Sequence, residues 1–168
     1  MSSLNAGKKE VIEWVHQTFN KNDTCLDVGA CDGKWHQLLG DYLDMDAVEV
    51  YAPNITKHWL THKYNTVYYA DIREFTYEFF DLIIFGDVIE HMSVEEAQAV
   101  LTYAYPRCKD MVVAVPYQWH QDAIYGNPYE RHIQEDLTHE IFMQRYKGFK
   151  PLALFGNYGY YVKDENFS

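Results

Sequence analysis

Four short stretches of the chain set acids beside glycines or at the ends of apolar runs: "LDVGACDG" at 26–33, "VEVY" at 48–51, "ADI" at 70–72 and "FGDVIEHM" at 85–92. In the first, Gly29 permits close approach of backbone to a ligand, and Gly33 lets the following helix begin against it. Glu49 stands twenty positions after Gly29, the spacing at which an acid accepts hydrogen bonds from both ribose hydroxyls of an adenosine. Asp71 is placed to read an adenine amino group, and Asp87, Glu90 and His91 stand at the rim of a fourth strand. Alone, the glycine turn is equally a tight connection between strand and helix; four successive polar strand ends give it meaning. The dinucleotide fingerprint needs glycines at i, i+2 and i+5. Counted from Gly29, the second and third places hold Cys31 and Lys34, and no GK[ST] tail follows for a phosphate loop. The pattern suits an adenosine that carries no pyrophosphate.

A second group of residues is equipped to take a proton. A hydroxyl nucleophile needs an acceptor, and His91, His120 and His132 are the catalytic candidates. His91 directly follows Glu90, and its competing role is a polar cap on the next helix. His120 and His132 lie in "YQWHQDAIYGNPYERHIQ" (117–134), where Tyr117, Trp119, Tyr125 and Tyr129 alternate with Asn127 and Glu130. Packing is the commoner fate of aromatics, but a plain core avoids such polar interleaving. The segment at about 117–147 therefore reads as a substrate lid. No HxxxH-type spacing supports a divalent metal on the three histidines, and no metal is expected.

These residues need elements to position them. Apolar residues at helical spacing predict a first helix over 7–20, and short apolar runs predict strands at 24–30, 46–51, 66–72, 80–88 and 110–116. Helices are expected at 34–43, 54–63, 93–105 and 135–146; Ser93 and Glu96 make a capping box for the third of these. "KPLALFGNYGYYVK" (150–163) reads as two strands about a Gly-Asn turn. The tyrosines at 158–161 read as edge-strand surface or a dimer contact, and Trp14, Trp35 and Trp59 as packing residues. Alternating strands and helices from 24 to 116 imply a parallel sheet with helices on both faces, closed by an antiparallel pair. In such a sheet ligands sit beyond the carboxyl ends of the strands, where the four acid-bearing stretches fall.

Composition bounds the rest. The 168 residues, 48% apolar and 23% charged, suit one globular domain over 1–168, and 17% aromatic content excludes disorder. No apolar run is long enough to span a bilayer, residues 1–14 lack the apolar core of a signal peptide, and three cysteines without CxxC spacing suit a reduced cytoplasm. A net charge of −11 with no basic stripe argues against a nucleic-acid partner. A cationic cofactor or a small neutral substrate fits better.

"LDVGACDG" resembles the first motif of class I S-adenosylmethionine-dependent methyltransferases, and the likeness continues through "VEVY", "ADI" and "FGDVIEHM", over residues 24–116. "VPYQWHQDAIYGNPYERH" resembles a segment of a small-molecule or glycan-type branch. The resemblance implies an α/β, doubly wound, Rossmann-like seven-stranded sheet, mostly parallel with an antiparallel last strand. It implies S-adenosylmethionine as cofactor and methyl transfer to oxygen or nitrogen of a small-molecule or glycan-like acceptor. Asp27, Gly29 and Ala30 would line the methionine end, with Gly33 beside them. Glu49 would bind the ribose, Val50 or Tyr51 the adenine face, Asp71 and Ile72 the adenine edge, and Asp87 the cofactor's amino group or the substrate mouth. Cys31 stands where the family often has glycine, and it is strained if that position needs a positive φ. The competing readings are a nicotinamide-dependent oxidoreductase and a non-catalytic cofactor-binding module.

Overall fold

The structure is a computed structural model describing residues 6–168. Five strands run parallel: β1 (Thr24–Val28), β2 (Asp44–Glu49), β3 (Val67–Tyr69), β4 (Phe80–Gly86) and β5 (Cys108–Pro116). β6 (Phe149–Phe155) and β7 (Tyr158–Lys163) complete one sheet in the order β3-β2-β1-β4-β5-β7-β6, with β7 antiparallel to both its neighbours. This is the seven-stranded, doubly wound sheet expected from the sequence. The central strands are continuous apolar runs because both faces are covered. Leu26, Val28, Ile83, Phe85, Met111 and Val113 pack on one side, and Cys25, Leu82, Ile84, Val112 and Ala114 on the other.

Helices α1 (Lys8–Thr18), α2 (Lys34–Leu39), α3 (Ala52–Lys57) and α4 (Leu60–Lys63) precede β3; α5 (Val94–Ala104) and α6 (His139–Arg145) come later. Val11 and Val15 of α1, Trp35 and Leu39 of α2 and Leu60 of α4 share the Leu82 side. Ala97, Val100, Leu101 and Ala104 of α5 cover the Phe85 side with Phe142 of α6. α5 carries the expected capping box: the Glu96 amide donates to Ser93 Oγ and the Ser93 amide to Glu96 Oε2. No helix among the described residues is long and apolar enough to cross a membrane.

Several elements differ from the sequence expectations. The helix expected over 54–63 is two pieces, broken at Trp59, whose φ of 55° is left-handed and whose ring is 65% exposed. That ring is therefore no packing residue. The helix expected over 34–43 stops at Leu39, and that expected over 135–146 begins at His139, capped by Thr138 Oγ1 accepting from the Ile141 amide. The tyrosines at the end of the chain are not at an edge. β7 is inserted between β5 and β6, so Tyr158, Tyr160 and Tyr161 are all buried, and Tyr161 stacks on Phe142 with ring centroids 3.6 Å apart.

Gly159 is the close contact within β7. A Cβ there would lie 2.0 Å from the Tyr117 hydroxyl, which shares a short hydrogen bond with Tyr161. Gly159→Ala is expected to cost about 1–3 kcal/mol by overpacking, read as a lower urea midpoint at unchanged slope. An unchanged midpoint would mean that Tyr117 moves aside freely.

Candidate active site

One cavity of about 580 Å³ opens beyond the carboxyl ends of β1, β2 and β4, where strand order reverses between β1 and β4. Its size is that of a small-molecule site, and its position is the one the topology dictates. Six acids line it (Asp32, Glu49, Asp71, Asp87, Glu90 and Glu130) against Lys34, Arg73 and Arg131. The wall therefore favours a ligand that carries positive charge.

The turn after β1 forms one side. Gly29, Cys31 and Gly33 have φ of 70°, 50° and 80°, so the alternation of small and other residues in "GACDG" is an alternation of left-handed positions. A Cβ at Gly29 would meet Val88 Cγ2 at 2.9 Å, so glycine is needed there for space as well as torsion. Cys31 does occupy the left-handed region and is strained. Burial pushes its thiol up to about 12, which makes it an inert side chain and not a nucleophile.

Glu49 closes the turn. Its Oε2 accepts from the Cys31 amide at 2.8 Å and its Oε1 from the Tyr51 amide at 2.8 Å. Burial raises its pKa, and these two bonds oppose the rise. The Asn54 side chain also bonds to this carboxylate, and both residues line the cavity. Beyond it, Val50, Ala70 and Ile72 supply apolar wall beside Asp71. Arg73 grips the Asp71 carboxylate through Nη2 at 2.6 Å and Nε at 3.0 Å, and reaches Glu96 with Nη1 at 3.0 Å. The guanidinium holds the Asp71 carboxyl below the usual carboxylate range.

β4 supplies the opposite wall. Asp87, also left-handed at φ 55°, accepts a short hydrogen bond from the Tyr158 hydroxyl, and burial lifts its carboxyl to about 6. Glu90 is fully buried with neither carboxylate oxygen hydrogen-bonded, and burial pushes its pKa well up. His91 and His132 stand edge to face, ring centroids 4.8 Å apart. Their Nδ1 atoms lie 3.1 Å from the Arg131 carbonyl oxygen and 2.8 Å from that of Trp119. Burial lowers both imidazole pKa values, which favours the neutral rings, and the Nδ1 contacts to carbonyl oxygens favour the tautomer with the proton on Nδ1.

The segment after β5 arches over this end. The His132 amide donates to Gln121 O at 2.9 Å, and the Ile133 and Gln134 amides donate to Glu90 O at 2.8 and 3.0 Å. The buried Gln134 side chain donates to Ile89 O and Met92 O and accepts from the Tyr146 hydroxyl. The arch is thus tied to the loop after β4. Trp119, Gln121, Asn127, Tyr129 and Glu130 face the cavity, whereas Tyr125 is 82% exposed and Tyr117 packs below. Nothing from 134–147 lines the cavity; Phe142 of α6 is packed in the core.

Gly29, Ala30, Glu49, Val50, Asp71, Ile72, Asp87, His91 and His132 all meet in the cavity; Asp27, Gly33, Tyr51 and His120 do not line it. Asp27 is fully buried on the opposite side of β1, its Oδ2 accepting from the Tyr64 hydroxyl at 2.5 Å. Gly33 begins α2 behind the turn, facing Lys63, and Tyr51 offers its amide to Glu49. His120 is exposed and paired with Glu135 at 2.6 Å, which raises its pKa. Arg73, Trp35, Asn54 and Tyr158 line the cavity unforeseen. Arg73 was within reach of the sequence, two residues after Asp71. Tyr158 was not, because its place depends on where β7 enters the sheet.

No protein-family model matches the chain, and no curated protein sequence matches it. Solved structures do. The N-methyltransferase NodS from Bradyrhizobium japonicum aligns over 96% of this chain and 98% of its own at 11% identity, TM-score 0.61. An S-adenosylmethionine-dependent methyltransferase from Clostridium acetobutylicum aligns over 92% and 88% at 12% identity, TM-score 0.70. The N-terminal domain of EvdMO1, solved in the presence of S-adenosylhomocysteine and D-fucose, aligns over 97% and 84% at 12% identity, TM-score 0.69. The fold is that of the class I S-adenosylmethionine-dependent methyltransferases.

Burial lifts the Asp27 carboxyl from its ordinary value to about 7, against the Tyr64 hydrogen bond. A folded-state pKa above the unfolded one stabilises at low pH, and this is lost as pH rises from about 4 to about 7. Asp27→Asn removes that loss. The variant should gain on the parent by on the order of 2–4 kcal/mol across this window, measured by urea unfolding at each end. A pH-independent difference would mean that Asp27 is ionised in the folded protein throughout.

Proposed function

We propose that this protein is an S-adenosylmethionine-dependent methyltransferase acting on oxygen or nitrogen of a small-molecule or glycan-like acceptor. The observation that carries the reading is Glu49: a buried carboxylate held by the Cys31 and Tyr51 amides on the wall of the cavity at the switch point of this fold, where ribose hydroxyls would donate to it. When bound, S-adenosylmethionine supplies a methyl group already activated on a sulfonium. The chain has to bind, align and exclude water. Gly29 and Ala30 would flank the methionine end, Val50 and Ile72 the adenine, and Asp71 its edge. Asp87 would face the positively charged amino group, and the excess of acids on the wall favours the sulfonium.

The acceptor would enter beneath the arch. A nucleoside would take much of a cavity of about 580 Å³, so the acceptor would be small or the end of a longer chain. Trp119, Tyr129 and Ile133 line it and are 37%, 44% and 57% exposed; they offer flat apolar surface suited to the face of a sugar or other ring. The Nε2 lone pairs of His91 and His132 are placed to take the acceptor's proton or to hold its oxygen.

Calorimetry with S-adenosylhomocysteine and with NAD tests the reading; binding of NAD alone would overturn it. Glu49→Ala should weaken S-adenosylhomocysteine by roughly 1.5–3 kcal/mol, the scale of charge-assisted hydrogen bonds. Unchanged affinity removes Glu49 from the ribose site. His132→Ala should lower turnover with cofactor affinity intact, and loss of both together would make His132 structural. Tight cofactor binding without turnover on any acceptor would favour a binding module.

A further inference from the structure

The acceptor end of the cavity holds a group of side chains that a proton acceptor alone does not explain. One ligand atom each from Glu90, His91 and His132 lies within 4.8 Å of the others, and all three residues line the cavity. Glu90 is fully buried, and neither of its carboxylate oxygens has a hydrogen-bond partner. Its Oε1 lies 3.7 Å from His91 Nε2, too far for a hydrogen bond. A buried polar group left in this state is costly unless something else satisfies it.

The histidines show the complementary feature. Each has Nδ1 against a backbone carbonyl, Arg131 O for one and Trp119 O for the other. This fixes both rings with the Nε2 lone pair turned away from those carbonyls, which is how metal-ligating histidines are oriented and made more basic. Two imidazoles and a carboxylate therefore lie together at one end of the cavity, and both oxygens of the carboxylate are without a hydrogen-bond partner. The spacing of His91, His120 and His132 along the chain does not point to a metal. The fold replaces His120 with Glu90, and brings His132 to the Glu90–His91 pair only through the arch.

We propose that Glu90, His91 and His132 form a binding site for a divalent transition-metal cation, with its open positions facing the acceptor. Two nitrogen donors and one carboxylate suit ions of the Mn²⁺ to Zn²⁺ series and not Ca²⁺. Bonds of roughly 2.0–2.2 Å bring neighbouring ligand atoms to about 3–4 Å, so small side-chain rotations close the remaining gap. Three protein ligands leave room for an oxygen of the acceptor.

The consequence for the reaction rests on the methyl-transfer reading. With an ion in place the two Nε2 lone pairs are donated to it and no longer receive the proton. A coordinated hydroxyl is acidified and releases its proton to water. Its oxygen forms the new bond to the methyl carbon, and the carbon–sulfur bond breaks with its electron pair returning to sulfur. The site thus favours an oxygen acceptor, such as a sugar hydroxyl, over an amine.

Cobalt(II) is the probe, because its visible spectrum reports coordination without any turnover. The chelator-treated full chain should take up one equivalent of Co²⁺ with a visible band of nitrogen and oxygen ligation. Glu90→Gln and His132→Ala should each weaken uptake by at least ~10–100-fold, while calorimetry with S-adenosylhomocysteine shows the variants folded. No band in the parent, or a band that survives both substitutions, overturns the proposal. Co²⁺ uptake and S-adenosylhomocysteine binding are read separately, so a parent chain that binds S-adenosylhomocysteine but takes up no Co²⁺ defeats the metal site and leaves the methyltransferase reading standing.

Discussion

The site depends on one carboxylate. Glu49 ends β2 and binds the amide of Cys31, in the turn after β1, and that of Tyr51, at the start of α3. Two loops that share no secondary structure are joined through it, in a buried position where a charge-assisted bond is strong and an unpaired carboxylate would be costly. Cys31 is held left-handed in the same turn, and the strain of that torsion is offset by the bond its amide makes. The acid that would receive a ribose is also the clamp that shapes the turn beside it.

Much of this was legible in the residues. Apolar runs located the central strands, acids at the strand ends located the cavity, and the Ser93–Glu96 capping box located α5. What escaped were relations between distant parts of the chain. Asp27 and Glu49 look alike in sequence, each an acid at a strand end. Alternation along β1 turns Asp27 toward Tyr64, whereas Glu49 faces the cavity. His120 and His132 looked equivalent within one irregular segment. The hydrogen bonds of 132–134 to Gln121 and Glu90 draw one inward and leave the other with Glu135. The tyrosines of β7 were misplaced because strand order is not written in the strand's own residues.

The electrostatic character of the cavity follows from the same architecture. Parallel strands deliver their acids to one end of the sheet, and the helices that return the chain cover both faces without neutralising that end. Asp87 and Glu90 have raised pKa values from burial, and Asp71 is lowered by Arg73. The cavity therefore sets carboxyls pushed up by burial on one wall against a carboxyl pulled down by an arginine on the other.

The place of β7 has a consequence for how the chain is made. Its five residues from Tyr158 to Val162 pair with Pro116 back to Val112, so the outer edge of β5 is unpaired until the final hairpin emerges. During synthesis that edge is a bare row of amides and carbonyls on an apolar strand, the kind of surface that recruits other nascent chains. A chain released before Tyr158 would carry most of the cavity and still be prone to aggregate.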